Sequence, residues 1–254
     1  LPPVKALLES RVTGVSYWVN PDGNFAPIDL SYMNAVPHLR SFAGAYPFEI
    51  TDRDLAFIGR SEKLLELSLS SPAITDAGLQ QLSGLHELEE LNVNDIDLTD
   101  DGLRCLSGMS NLQLLSVSGN VRLNGEGLRF VPKGCQLHEL YVAGTAFDHG
   151  LESIDLTSLK YLRADSTPLS GSGLAPLRNA NALEVLMLRK TEVTDSGLTV
   201  LQNATNLQIL YLDDTRVTDE GLLHLFSLTT LQVVSLTGTA VTQAGAERLA
   251  AQLP

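Results

Sequence analysis

Leu183-Glu184-Val185-Leu186-Met187-Leu188, followed by Thr191-Glu192-Val193-Thr194-Asp195-Ser196-Gly197-Leu198, is the stretch that decides the fold. The phrase returns almost unchanged from Leu207 to Leu222, and again from Leu88 to Leu103. Counting from its first apolar residue, repeats start at Val15, Leu39, Leu64, Leu88, Leu112, Leu137, Leu159, Leu183, Leu207 and Leu231, with spacings of 22 to 25 residues. A period of that length marks a stack of small units sharing one core.

Each part of the unit has a physical reading. The opening alternation of apolar and variable residues has the period of a short strand with one buried face. A small polar residue follows, at Thr145, Thr167, Thr191, Thr215 and Thr239, with Asn120 in one repeat. Stacking places these in a column whose side chains are expected to bond the backbone of the loop above or below. Thr-Asp pairs at 75–76, 99–100, 194–195 and 218–219 read as helix N-caps with an aspartate in the first turn. Apolar residues three apart, such as Leu79, Leu82 and Leu85, then form the buried stripe of a short helix. Glycine recurs at 78, 102, 173, 197, 221 and 245, which predicts close packing between neighbouring helices. Such a unit cannot bury its apolar side alone, so units stack with parallel strands about 4.8 Å apart.

The pattern L-x-x-L-x-L-x-x-T-x-V-T-D-x-G-L-x-x-L resembles leucine-rich repeat proteins, particularly the subtype of long planctomycete and other bacterial arrays and of repeats beside F-box motifs. The resemblance is clear over residues 64–254 and weaker over 15–63. It implies an α/β fold: a right-handed leucine-rich repeat solenoid, bent as a horseshoe arc, with a parallel sheet on the concave face and short helices on the convex face. One continuous domain is expected. Residues 1–38 form an N-terminal cap with a degenerate repeat, and 39–254 form the repeats, closed by a helix within Ala244–Leu253.

Several positions depart from the pattern. Asp54 replaces glycine in the second repeat, and Leu30, Met33 and Val36 alone keep the stripe of the first, where Trp18 takes an inward strand position. The Leu112 repeat carries an extra residue near Asn120-Val121-Arg122, and the Leu137 repeat is two residues short at Phe147-Asp148-His149-Gly150. Either these are tolerated loop changes or they bend the stack. Asp148-His149 falls where other repeats place Thr-Asp, so Asp148 is expected to cap a helix.

A formal charge of −13 argues against a nucleic-acid-binding surface, which needs a basic stripe. No run is long enough to cross a bilayer. Cys105 and Cys135 hold different positions in adjacent repeats and read as inert thiols, with a disulfide the alternative. The five histidines share no column, which leaves no metal site, and no catalytic constellation or cofactor motif is found. Asn203-Ala204-Thr205 is a glycosylation sequon, relevant in a eukaryotic secretory setting. The chain opens Leu1-Pro2-Pro3 without methionine, as a processed form or fragment does; the compartment stays open, with a lean to the cytoplasm.

The variable strand positions, two, four, six and seven residues after each start, are expected on the concave face. They are small and polar early on, at Ser68, Ser70, Ser71, Asn92, Asn94, Asp95, Ser116 and Ser118. Later they become Tyr141, Tyr161, Arg163, Asp165, Met187, Arg189, Lys190, Tyr211, Asp213 and Asp214, beside Val185, Ile209 and Val233. Tyrosine, arginine and exposed aliphatics dominate binding hot spots, so these ten residues form the candidate partner-binding surface. Equally, Asp165, Arg189 and Asp213 can serve as a cross-strand charge ladder. The expectation is a non-enzymatic, monomeric scaffold binding a protein or peptide of basic or mixed charge. The alternatives are the targeting domain of a larger enzyme or effector, such as a ubiquitin ligase, and a carbohydrate or cell-envelope binder using the serine and asparagine strip.

Overall fold

The computed structural model describes Gly14–Val15, residues 39–45 and residues 50–253. Among the described residues, ten strands lie in one parallel sheet in chain order: β1 Gly14–Val15, β2 Ser41–Ala45, β3 Glu66–Ser70, β4 Glu90–Val93, β5 Leu114–Ser116, β6 Glu139–Tyr141, β7 Tyr161–Arg163, β8 Val185–Met187, β9 Ile209–Tyr211 and β10 Val233–Ser235. From β2 to β10 every strand pairs with the same position one repeat on, as in Leu140↔Leu162, Leu162↔Leu186 and Leu186↔Leu210. Those inward leucines are fully buried and belong to a single apolar core running along the stack. The molecule is an α/β leucine-rich repeat solenoid.

At the N-terminal end the register differs from the sequence reading. Val15 pairs with Phe42 rather than aligning with Leu39, so equivalent positions there stand 27 residues apart. The rest of the expected cap, including Trp18, Leu30, Met33 and Val36, lies outside the described residues.

The helical side is tighter than expected. Four units make a single α-turn that continues as a 3₁₀ helix, as in Asp195–Leu198 followed by Thr199–Asn203. In the Leu88 repeat the whole segment Asp100–Gly108 is 3₁₀. The cause is visible in the chain: buried leucines spaced by three suit a helix of three residues per turn better than one of 3.6. Among the described residues, α-helices longer than one turn occur only near the ends, at Asp52–Ile58 and Gln243–Ala250. In the first of these Asp54, the residue replacing glycine, accepts from Thr51 N at 2.9 Å and Thr51 Oγ1 at 2.8 Å. The second buries Leu249 against the last described repeat.

A periodic interlock holds repeat to repeat, and it and the threonine column correct the sequence reading. The aspartate of a Thr-Asp pair grips the threonine one repeat later instead of serving its own helix alone, except Asp100, which accepts from the backbone N–H groups of Asn124, Gly125 and Gly127. Asp76 accepts from Thr99 N at 3.0 Å and Thr99 Oγ1 at 2.5 Å. Asp52 with Thr75, Asp195 with Thr218 and Asp219 with Thr242 repeat that geometry. The recurring glycine lets neighbouring helices approach closely, and at four of its six positions the space is taken by this carboxylate of the preceding helix: a Cβ on Gly102 would stand 2.5 Å from Asp76 Oδ1, and one on Gly197 would stand 3.2 Å from Gly171 Cα. The threonine column, by contrast, bonds within its own loop, as Thr191 Oγ1 does to Leu188 O at 2.7 Å. Asn120 alone in that column spans two repeats, donating to Val93 O and accepting from Ile96 N and Leu98 N.

The two irregular repeats leave the sheet register unbroken between β5, β6 and β7. Their length differences are absorbed in the loops, where Gly125 and Gly150 stack at φ +112° and +105°. A Cβ on Gly150 would meet Gly125 O at 2.2 Å, so only glycine fits. Asp148 does not cap a helix; its carboxylate pairs with the His149 ring, and a single 3₁₀ turn, Leu151–Ser153, follows. Cys105 and Cys135 are both free and buried, and burial pushes the Cys105 thiol up to about 12. No described helix is long and apolar enough to cross a membrane, and no group of three potential metal ligands gathers among the described residues.

Candidate functional site

Because side chains alternate along a strand, the residues flanking each buried leucine point out of the sheet. Tyr141, Tyr161, Met187 and Tyr211 are half-buried there, and Arg163 is exposed. They are adjacent by register: Tyr141 pairs with Arg163, Arg163 with Met187, and Met187 with Tyr211. The Tyr141 and Tyr161 rings lie 5.1 Å apart, within the range of favourable aromatic pairs. Tyr161 OH donates to Met187 Sδ at 3.3 Å, and Tyr141 OH to Glu139 Oε2 at 2.5 Å. Burial and the neighbouring Glu139 carboxylate push the Tyr141 hydroxyl well above the usual tyrosine range. Burial raises Tyr161 as well. Both phenols are neutral donors at physiological pH.

Beside this shelf runs a charged row. Arg163 Nε donates to Asp165 Oδ2 at 2.9 Å, and Arg189 Nε to Asp213 Oδ2 at 3.1 Å. Arg189 Nη1 stands 3.8 Å from Asp165 Oδ2, and its guanidinium lies 3.7 Å over the Tyr211 ring. The charge ladder therefore exists, and the same arginines face outward. Asp165 and Asp213 each also hold the next repeat: Asp165 Oδ1 accepts from Arg189 N at 2.9 Å and Asp213 Oδ1 from Thr237 N at 3.0 Å. Asn94 does the same for Ser118 N at 2.8 Å. With side chains only 9% and 15% exposed, Asp165 and Asp213 position the row more than they offer contacts.

Lys190 and Asp214 stand exposed in the next column, both at left-handed φ, +55° and +56°. This column is left-handed in repeat after repeat, with Gly119, Gly144 and Gly238 beside Asp95, Ser166, Lys190 and Asp214. The recurrence of glycine two residues beyond the strand's last leucine position was the available signal, and the strand-and-stripe pattern does not use it.

Sequence reasoning also missed an acidic column. Glu66 and Glu90 are direct register partners, and Leu114 separates Glu90 from Glu139. Burial, reinforced by Glu66, Glu139 and Glu89, raises the Glu90 carboxyl above its ordinary value. Reading the Tyr161, Val185, Ile209 column backward through the same register would have found it.

Comparison with known proteins agrees with the architecture. A family model described as Leucine Rich repeat matches residues 203–226, one unit of the stack. Among solved structures, a leucine-rich repeat protein of Leptospira interrogans is similar with a TM-score of 0.66 and 16% identity, over 96% of this chain and 65% of that one. Internalin C2 of Listeria monocytogenes is similar at 0.56 and 22% identity, covering 92% and 84%. The plant peptide hormone receptor RGFR1, solved in complex with RGF2, is similar at 0.57 and 14%, covering 94% and 42%. No curated protein matches at the level of sequence.

Proposed function

We propose that this solenoid is a non-enzymatic recognition scaffold that binds a protein or peptide of mixed charge on its concave sheet. The observation that carries the reading is the continuous shelf of Tyr141, Tyr161, Met187 and Tyr211, flanked by Arg163 and Arg189, across four register-paired strands. Rigid aromatics stacked on one another or under a guanidinium lose little entropy when a partner docks. Lys190 supports the reading from the backbone: a left-handed φ disfavours lysine by about 1–2 kcal/mol, and three other repeats use glycine at that column. Its side chain earns retention by some other use, and exposure beside the arginine row supplies one. Asp165, Asp213 and Asp214 belong to the site as positioning and rim groups. The acidic Glu66, Glu90 and Glu139 column suits a basic stretch of the partner, while the opposite end suits aromatic and polar contacts.

The carbohydrate reading loses support where the strip's polar groups are already engaged. Ser71 bonds Ile50 O, and Asn94 accepts from both Ser116 and Ser118. A targeting role within a longer enzyme uses the same surface and the same partner chemistry.

Affinity purification with the intact protein tests the proposal. The Tyr211→Ala/Arg189→Glu double variant, its fold confirmed by circular dichroism, is expected to lose the partner that the unaltered protein retains. Equal recovery by a folded double variant removes the site.

A further inference from the structure

Arg163 and Arg189 share an arrangement that says more about the partner, given the concave-face reading above. Each donates a hydrogen bond through Nε alone, to Asp165 and to Asp213 respectively, and Arg189 Nη1 also faces Asp165 Oδ2 at 3.8 Å. Their terminal Nη nitrogens make no hydrogen bond among the described residues. Both side chains keep substantial exposure, 47% and 35%. Beneath them the carboxylates are spent: Asp165 is taken by Arg163 and Arg189 N, and Asp213 by Ser235, Thr237 N and Arg189. An arriving molecule therefore meets guanidinium edges and not the carboxylates that balance them. The Nε tethers, and the Tyr211 ring under Arg189, fix where those edges point. Lys190, which makes no ion pair among the described residues, adds a third cation at the rim.

We infer that Arg163 and Arg189 form a carboxylate-binding subsite, and that the partner lays an acidic peptide segment across β7 and β8. A guanidinium edge matches a carboxylate with two parallel N–H donors, a geometry no other pair of side chains supplies as well. One strand separates the two arginines laterally, about 4.8 Å, and two residues separate them along the strand direction, about 6.6 Å. Their backbones thus stand about 8 Å apart, while the side chains converge on Asp165 Oδ2, with Arg163 Nε at 2.9 Å and Arg189 Nη1 at 3.8 Å. Those two nitrogens lie within about 6.7 Å of each other, near the spacing of alternate residues in an extended peptide. A segment with acidic side chains at alternate positions can thus engage both edges. Because Asp165 and Asp213 neutralise the local field, affinity here rests on directed hydrogen bonds and not on bulk attraction.

The test follows the arginine Nε–H resonances by NMR during titration of the full chain with acetyl-Ala-Glu-Ala-Glu-amide. Saturable shifts are expected at Arg163 and Arg189, with no comparable response at the exposed Arg178 and Arg216. The glutamine counterpart of the peptide should bind at least about tenfold more weakly. An Arg163→Gln/Arg189→Gln variant should lose the peptide-induced shift of the Met187 methyl group. Absence of shifts at the two arginines, equal shifts at all arginines, or a response confined to tetra-alanine with a free C-terminal carboxylate overturns the inference. If the arginines ignore the acidic peptide while Tyr211→Ala still abolishes partner capture, the subsite fails and the wider concave-face reading stands.

Discussion

Strands β3–β5 and strands β6–β9 share one buried framework and present different outer surfaces. Inside, Leu67, Leu91 and Leu115 continue without a break into Leu140, Leu162, Leu186 and Leu210, all buried. Outside, the first region offers serine, asparagine and paired glutamates, the second stacked tyrosines and tethered arginines. The period of two in a strand makes this division possible, because adjacent residues answer to different environments. Stability is carried by one set of positions, and the other set is free to vary.

The largest expected effect tests whether the framework is common to both regions. Leu115→Ala in β5 and Leu186→Ala in β8 should each destabilise the fold by about 2–5 kcal/mol in urea unfolding, since both empty a fully packed site. Met187→Ala, one residue along, should cost far less and impair partner capture instead. A mild Leu186→Ala or a severe Met187→Ala breaks the division.

The next effect concerns the interlock that both regions use with different chemistry. Asp165 and Asn94 stand at the same place in their repeats, and each accepts the backbone N–H of the following loop. Asp165→Ala also strands two arginines, so it should cost about 1–3 kcal/mol, against about 1 for Asn94→Ala. Equal losses would mean that the arginine tethers contribute nothing.

Much of this was open to a reader of the chain, and the reasons for the remainder are specific. Strands, buried faces and the parallel stack follow from leucine spacing alone, because apolar burial dominates and is local to each repeat. The candidate face follows too, since whatever is not leucine on a strand must point the other way. What escaped reading is contact between repeats. Asp76 reaching Thr99, or Asp213 reaching Thr237, joins residues more than twenty positions apart, and each aspartate has a plausible local role that hides the distant one. The N-terminal register failed for a related reason: Val15 aligned by spacing to Leu39, while pairing selects Phe42. The acidic column was missed because tyrosine and arginine drew attention to one end of a continuous row.

A smaller effect sharpens the contrast at the left-handed column. Lys190→Gly should raise stability by about 0.5 kcal/mol, the relief of a strained φ less the added freedom of glycine when unfolded. Asp95→Gly, in the loop after β4, should gain less, because aspartate tolerates this conformation better. If Lys190 serves recognition, Lys190→Gly weakens partner capture while the thermal midpoint rises.

The smallest effect is one of sign, and it separates the two regions by their carboxylates. Glu90 lies in a partly buried, like-charged column that raises its pKa on folding, so the ionised form opposes the native state. Stability linked to it is present below the unfolded value of about 4.3 and is lost as pH rises through the folded value. Glu90→Gln should therefore raise the thermal midpoint at pH 7 and converge with the unaltered protein near pH 4. Asp213 behaves oppositely: burial pushes its pKa up, but bonds from Ser235, Thr237 and Arg189 prevail and hold it low. Its contribution is present above the unfolded value of about 3.9 and is lost as pH falls through the folded one. Asp213→Asn should lower the midpoint at pH 7, with the deficit shrinking in acid. Thermal melts across pH 3 to 8 distinguish the cases; parallel profiles for the two variants would show that the regions do not differ electrostatically, and with that the case for a mixed-charge partner weakens.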